Sequence, residues 1–329
     1  MINLARQQIE ALMDYDQAAR LIEDAYRATS LGKVNLPPVG HIVFPDHDGD
    51  CHIKYGHVEG DPVFVIKVAT GFYGNAANGL PSGNGISLVL CAQTGAVTAV
   101  LHDEMCMTDF RTAIGGAIAT RLLCRTGAER ITVVGTGVQA RRQIEAHARL
   151  MPDRQPEFQV WGRSAERAAL VVDELSDLGL SVVVTEDLEE ACRSSDIVVT
   201  TTASTTPIIQ HDWILPGTHI TAVGADAPGK QELDTRLVAK ADRLIVDLRS
   251  QCRDHGEVAT AVRAGVVDAD QLVELGDVLD RRKPGRTEDD QITIADLTGI
   301  AAQDIAMAQM VVAAFEDGLG IMPEDVLKS

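Results

Sequence analysis

"ERITVVGTGVQARRQIEAHARL", residues 129–150, decides the fold. Ile131 to Val134 make a short apolar or β-branched strand, and the glycines at 135 and 137 end it before a helix-forming run begins. Gly135-Thr136-Gly137-Val138-Gln139-Ala140 is the G-x-G-x-x-A form of the Rossmann dinucleotide fingerprint. Gly135 serves the tight turn, Gly137 lets the backbone approach a pyrophosphate, and Ala140 lets helix and strand pack closely. The amides of Val138 and Gln139 then open a helix and face phosphate oxygens.

Outward from this motif, strand and helix alternate. The pattern predicts strands at 130–134, 158–161, 181–184, 196–200, 219–223 and 243–247, with helices near 138–150, 164–178, 187–193, 232–239 and 255–264. Six strands with helical crossovers imply a doubly wound parallel sheet. Upstream the rhythm differs. Residues 14–30 form an amphipathic helix capped by Asp14, with Ala18, Leu21, Ile22 and Ala25 on one face and Gly32 after it. From 39 to 102 the period is two, as in a mostly antiparallel sheet, and "MTDFRTAIGGAIATRLL" follows as a helix with Thr108 as N-cap. A strong helix at 299–317 returns to the first domain. The expected fold is α/β: a Rossmann doubly wound parallel sheet over 121–298, plus an α+β domain built from 1–120 with 299–329.

Composition narrows the function. The chain has 329 residues, 29 Lys and Arg against 48 Asp and Glu, and a net charge of −19, a poor match for nucleic acid. No run approaches the ~20 apolar residues of a membrane span, so no membrane partner is expected. Six cysteines are scattered without a C-x-x-C pair, which fits a reducing compartment and a cytoplasmic location. An anionic small substrate stays compatible with the acidic total, because local cations reverse the field inside a cleft.

Several residues outside the fingerprint suit chemistry. Lys67 interrupts the apolar strand "VFVIKVATG", where an amine is paired, depressed in proton affinity, or snorkelling at a strand end. Arg111 lies in "MTDFRTAIGG", close to a helix start that favours anions; a surface ion pair with Asp109 or Glu104 is the alternative. Asp226, just past an apolar strand in "THITAVGADAPGKQEL", is either at a ligand edge or a helix cap. Thr298 opens the last helix and could be only its cap. At the end of the second strand, "FQVWGRS" places Arg163 and Ser164 where NADP enzymes often hold a 2′-phosphate, while Glu166 nearby suits the ribose of NAD.

In this order, these pieces resemble the ornithine cyclodeaminase/μ-crystallin family of nicotinamide-dependent enzymes. "FVIKV", "GLPSGNGISLVL", "MTDFRTAIGGAIA", "VVGTGVQA", "VTTTAS", "VGADAPGKQEL", "IVDLRSQCRDHGE", "ELGDVL" and "DLTGIAAQD" all look like its blocks. The resemblance implies a homodimer in which the α+β domain of 1–120 with 299–329 is the substrate-binding and dimerisation domain, with Lys67 and Asp226 as the catalytic pair and Arg111 gripping the substrate carboxylate or lying against the cofactor. It places Ser82, Thr112, Val138, Gln139, Thr202, Ala203, Ser204, Val223, Gly224, Lys230 and Thr298 along the cofactor.

One segment departs from that pattern. The family usually has an arginine soon after a "P-P" or "M-P" pair, whereas here the run is Pro37-Pro38-Val39-Gly40-His41. The following "HIVFPDHDGDCHIKYGH" (41–57) is rich in His and Asp. It lacks the glycine and the twelfth-position glutamate of a calcium loop, and ligands on opposite strand faces do not converge on zinc, so no metal is expected. Asp46 to Asp50 read as a solvated turn. His41, His52 and Lys54 are expected to serve a substrate carboxylate. A second carboxylate would make the substrate iminosuccinate and the product L-aspartate, with NAD as cofactor and NADP the alternative. Alanine dehydrogenase, cyclic ketimine reductase, ornithine-type cyclodeaminase and a non-catalytic NAD(P)H binder are the rival expectations.

Overall fold

The computed structural model describes residues 1–318. The chain divides into two compact units, Met1–Arg111 joined by the chain from Ile300, and Thr112–Gly299. In chain order the first unit contributes β1 (Ile2–Ala5), α1 (Arg6–Leu12), α2 (Tyr15–Ser30), β2 (Val34–Asn35), β3 (Gly40–Phe44), β4 (Gly49–Val58), β5 (Val63–Phe72), β6 (Gly83–Cys91) and β7 (Val97–His102). The boundary falls inside α3 (Cys106–Leu123), whereas sequence places it near the end of that helix.

The second unit contains β8 (Arg130–Val134), α4 (Val138–Leu150), β9 (Glu157–Trp161), α5 (Ala165–Ser176), β10 (Val182–Val184), α6 (Leu188–Ser194), β11 (Ile197–Thr200) and β12 (His219–Ala222). It continues through α7 (Thr235–Lys240), β13 (Arg243–Val246), α8 (Arg249–Cys252), α9 (Gly256–Arg263), β14 (Val273–Glu274), α10 (Leu275–Leu279) and β15 (Thr293–Asp296). Finally α11 (Ala301–Gly318) belongs to the first unit.

In the first unit the sheet runs β1-β7-β6-β5-β4-β2, with β3 paired to β4. Its pairs are antiparallel except β1, which joins β7 in parallel and was not visible in the residue pattern. Asp14 caps α2 by accepting from the Gln17 amide at 2.7 Å, as its position predicts. Helix α11 packs on α2, β4 and β5, burying Ile305, Met307, Met310 and Val311. Thr108 does not cap α3: the helix already starts at Cys106, whose amide donates to the Asp103 carbonyl at 2.8 Å.

In the second unit every pairing is parallel, in the order β10-β9-β8-β11-β12-β15-β13-β14. The six expected strands are present, and two more join them. β15 lies between β12 and β13 with all four residues buried. Its Thr-Ile-Ala-Asp merges in sequence with the loop before α11. The order reverses between β8 and β11, the switch point where open α/β sheets bind ligands at their carboxyl ends.

Candidate active site and dinucleotide turn

The fingerprint sits at that switch point. Gly135 has φ 132°, a region L side chains rarely adopt, and a Cβ there would collide with Thr201 Oγ1. Its amide donates to the Trp161 carbonyl at 2.9 Å, tying the turn to β9. Gly137 differs. Its φ is −84° and, among the described residues, nothing lies within 4 Å of the place a Cβ would take. Neither backbone nor packing demands glycine there; an open space over the N-terminus of α4 is what an approaching phosphate needs. The residues present therefore fit a dinucleotide. Ser164 caps α5, accepting from the Arg167 amide at 3.3 Å, and Arg163 is exposed beside it.

The loops after β11 and β12 carry Thr202, Ala203, Ser204, Val223 and Gly224, and a carboxylate that sequence reasoning missed pins two of them. Buried Glu232 accepts from the Thr202 amide at 2.6 Å and the Gly224 amide at 3.0 Å. Glu257 in turn accepts from the amides of Glu232 at 2.7 Å and Leu233 at 2.9 Å, and Asp296 from Val258 at 2.9 Å. Asp247, the residue after β13, accepts from Thr298 Oγ1 at 3.1 Å and the Gly299 amide at 2.6 Å beyond β15. Burial pushes the carboxyls of Glu232 and Asp296 up to about 7, and that of Glu257 well above its ordinary value. Thr298 is thus held before α11 rather than capping it.

Asp226 lies in the loop after β12 and caps no helix. It forms an ion pair with Lys230 at 2.7 Å, its side chain 46% exposed against 16% for the lysine. Thr112, the first residue of the second unit, accepts through its carbonyl from Gln143 Nε2 at 3.3 Å. Ser82, in the first unit, precedes β6 and gives its carbonyl to the Phe72 amide at 2.7 Å.

Within the first unit the structure brings Lys67 and Arg111 together through Asp304, a residue of α11 that sequence reasoning missed. Lys67 Nζ donates to Asp304 Oδ1 at 2.8 Å and to Thr108 Oγ1 at 3.2 Å. Arg111 Nε donates to the same oxygen at 3.1 Å and Nη1 to Gln303 Oε1 at 3.3 Å. All three charges are buried, at 3% exposure for Lys67, 5% for Arg111 and 4% for Asp304. Lys67 therefore does not snorkel, and Arg111 is not a surface ion pair. Burial pushes the Lys67 amine below the usual lysine range, Asp304 opposing that and Arg111 adding to it. Burial alone would raise the Asp304 carboxyl, but Lys67, Arg111 and Lys54 more than offset it, so it stays ionised.

Lys54 pairs directly with Lys67 in the β4–β5 register, so both project from one face of the sheet. His52 follows on that face, and its register partner is His41 on β3. Their rings stack at 4.4 Å and 20°, and His52 Nε2 lies 3.5 Å from Asp50 Oδ2. One ligand atom from each of His41, Asp50 and His52 lies within 4.8 Å of the others. The opposite-face objection to zinc thus holds only for His57, which instead approaches the Asp61 carbonyl at 2.9 Å. Geometry supplies another objection. Nearly parallel rings send their in-plane lone pairs side by side, and a metal requires them to converge.

An all-parallel doubly wound sheet with an open G-x-G turn, in a chain whose other unit buries an amine, a guanidinium and a carboxylate together, defines a dinucleotide-binding α/β protein. The profile of the Ornithine cyclodeaminase/mu-crystallin family matches residues 1–318, and the chain belongs to that family. An archaeal alanine dehydrogenase dimer with bound NAD is 33% identical, with a TM-score of 0.88 over 97% of each chain. The iminosuccinate reductase of Paracoccus denitrificans in complex with NAD+ is 30% identical, with a TM-score of 0.87 over 96% of this chain and 97% of that one. The Delta(1)-pyrroline-2-carboxylate reductase of Thermococcus litoralis, with NADH and L-proline, is 27% identical, with a TM-score of 0.90 over 96% of this chain and 98% of that one.

Proposed function

We propose that this protein is an NAD-dependent oxidoreductase acting on C=N or CH–NH2 bonds of small imino and amino acids, reducing iminosuccinate to L-aspartate. The observation that carries the reading is Lys67: an amine buried at 3% exposure, bound to an anion yet pushed toward losing its proton, in a chain with an open dinucleotide turn. When bound, the cofactor supplies hydride at nicotinamide C4. We assign Lys67 to hydrogen-bond or protonate the substrate nitrogen, Asp226 to steady the iminium and exchange its proton, and Arg111 to hold the α-carboxylate. Release of Arg111 from Asp304 frees further donors for that carboxylate.

The aspartate proposal rests on Lys54, His52 and His41. Lys54 and His52 share the sheet face of Lys67, and the His41 ring stacks on His52, so they offer cationic and donor groups for a second carboxylate on the side of the amine. The likeness to enzymes holding NAD+ or NADH supports NAD as cofactor, and the likeness to a dimer supports a homodimer. Six cysteines without a disulfide support action in the cytoplasm. The test is oxidation of NADH and of NADPH against 2-oxo acids with ammonia and against cyclic imines. Turnover of oxaloacetate with ammonia supports the reading. Activity confined to pyruvate, to a cyclic imine, or to a diamino acid without net cofactor turnover replaces it with the corresponding rival. Tight cofactor binding without any turnover removes catalysis altogether.

A further inference from the structure

Asp103 lies at the turn between β7 and α3, 0% exposed; the backbone amides of Asp103 and Met107 face its carboxyl, and among the described residues no side chain hydrogen-bonds either oxygen. Its place is built. The next two residues, Glu104 at φ 45° and Met105 at φ 74°, are both left-handed without being glycine, a conformation that costs energy and survives only where the surroundings enforce it. Gly85 clears the space below, since a Cβ there would stand 3.2 Å from Asp103 Oδ1 and 3.4 Å from the Val68 carbonyl.

Register shows what shares that space. Gly85 pairs with Ala69, and Ser87 with Lys67, so Asp103 overlies the sheet face from which Lys67 projects. Among the described residues, Ser87 Oγ and Asp304 Oδ2 are buried without a hydrogen-bond partner. The charged and titratable groups facing this space are Lys54 from β4, Lys67 from β5, Cys106 and Arg111 from α3, and Asp304 from α11. Arg6 and Glu10 of α1 reach it through Cys106.

We propose that Asp103 is a positioning residue that holds the Lys67 amine in its protonated form. The inference rests on the reading of Lys67 as the group serving the substrate nitrogen. Asp304 is already shared with Arg111, and a second buried anion supplies the charge that this sharing withdraws. Burial raises the Asp103 carboxyl to about 6, with Lys67 opposing the rise, so the anion is present above that pH and supports the ammonium there.

The experiment is an NMR titration of lysine-13Cε-labelled full-length protein, Lys67 being assigned by its loss in K67R. Above pH 7, Asp103→Asn raises the ratio of free amine to ammonium at Lys67 roughly threefold or more, the effect of removing an opposite charge from a buried neighbour. Asp103→Ser gives the same displacement and serves if the first variant unfolds. A Lys67 titration unchanged in both variants overturns the inference. If the titration moves while the pH profile of imine reduction does not, Asp103 keeps its role and the catalytic reading of Lys67 fails instead.

Discussion

Asp304→Asn tests the buried triad most severely. The substitution keeps size and shape but removes the one anion to which Lys67, at 2.8 Å, and Arg111, at 3.1 Å, both donate. Two cations then remain buried side by side, and stripping one partner from a buried ion pair costs about 3–5 kcal/mol. Lys67→Met removes a cation instead and fills its volume with apolar atoms, so it costs less, about 1–2 kcal/mol. In the Lys67→Met background the cost of Asp304→Asn falls by at least ~1 kcal/mol, because one stranded charge is gone. Urea unfolding by far-UV circular dichroism at pH 7, comparing midpoints at a common slope, measures all four corners of the cycle. The sign with pH is fixed as well. A carboxyl held below its ordinary value stabilises the fold above about pH 4 and loses that contribution as pH falls further, so the variant's deficit shrinks in acid. A cost under ~1 kcal/mol, or one unchanged by Lys67→Met, refutes the argument.

Gly137→Ala leaves the melting temperature within a degree or two yet weakens NADH binding about tenfold or more by calorimetry, because the space it fills is empty in the protein. Gly135→Ala lowers both, since φ 132° and the Thr201 contact penalise the fold itself by about 1–3 kcal/mol. Glu232→Gln flattens a pH trend: carboxyls raised to about 7 stabilise below pH 4.5 and lose that contribution as pH rises to 7, so the wild type melts higher at pH 5.5 than at pH 8 and the variant less so. Lys54→Met raises KM for a dicarboxylic imine severalfold while sparing kcat; an unchanged KM for every dicarboxylic imine removes the aspartate proposal.

The features legible in the sequence are those carried by local pattern. The strand–glycine–helix of 130–150, the Asp14 cap and the six expected strands of the second unit stand where periodicity and turn chemistry put them. β1 and β14 run straight into α1 and α10, and β15 into the loop before α11, so nothing local marks where these strands end. Among site residues, Lys67 drew attention as a charge in an apolar run. Asp304 carried the same signal, an acid inside the long apolar stretch of α11, and could have been found by it. Glu232, Glu257 and Asp103 could not, for among 48 acidic residues nothing local separates a buried carboxyl from a solvated one. The convergence of His41, His52 and Asp50 depends on the β3–β4 register, which the residue pattern left unfixed.

Because α11 completes a unit whose sheet was laid down by residues 2–102, synthesis on the ribosome delivers the pieces far apart in time. The nascent sheet emerges with Lys67 and Arg111 and waits through the whole intervening domain before Asp304 leaves the exit tunnel. During that interval α2, β4 and β5 lack the apolar face that α11 later lays over them, and a message truncated ahead of the last helix yields a chain without that cover or Asp304.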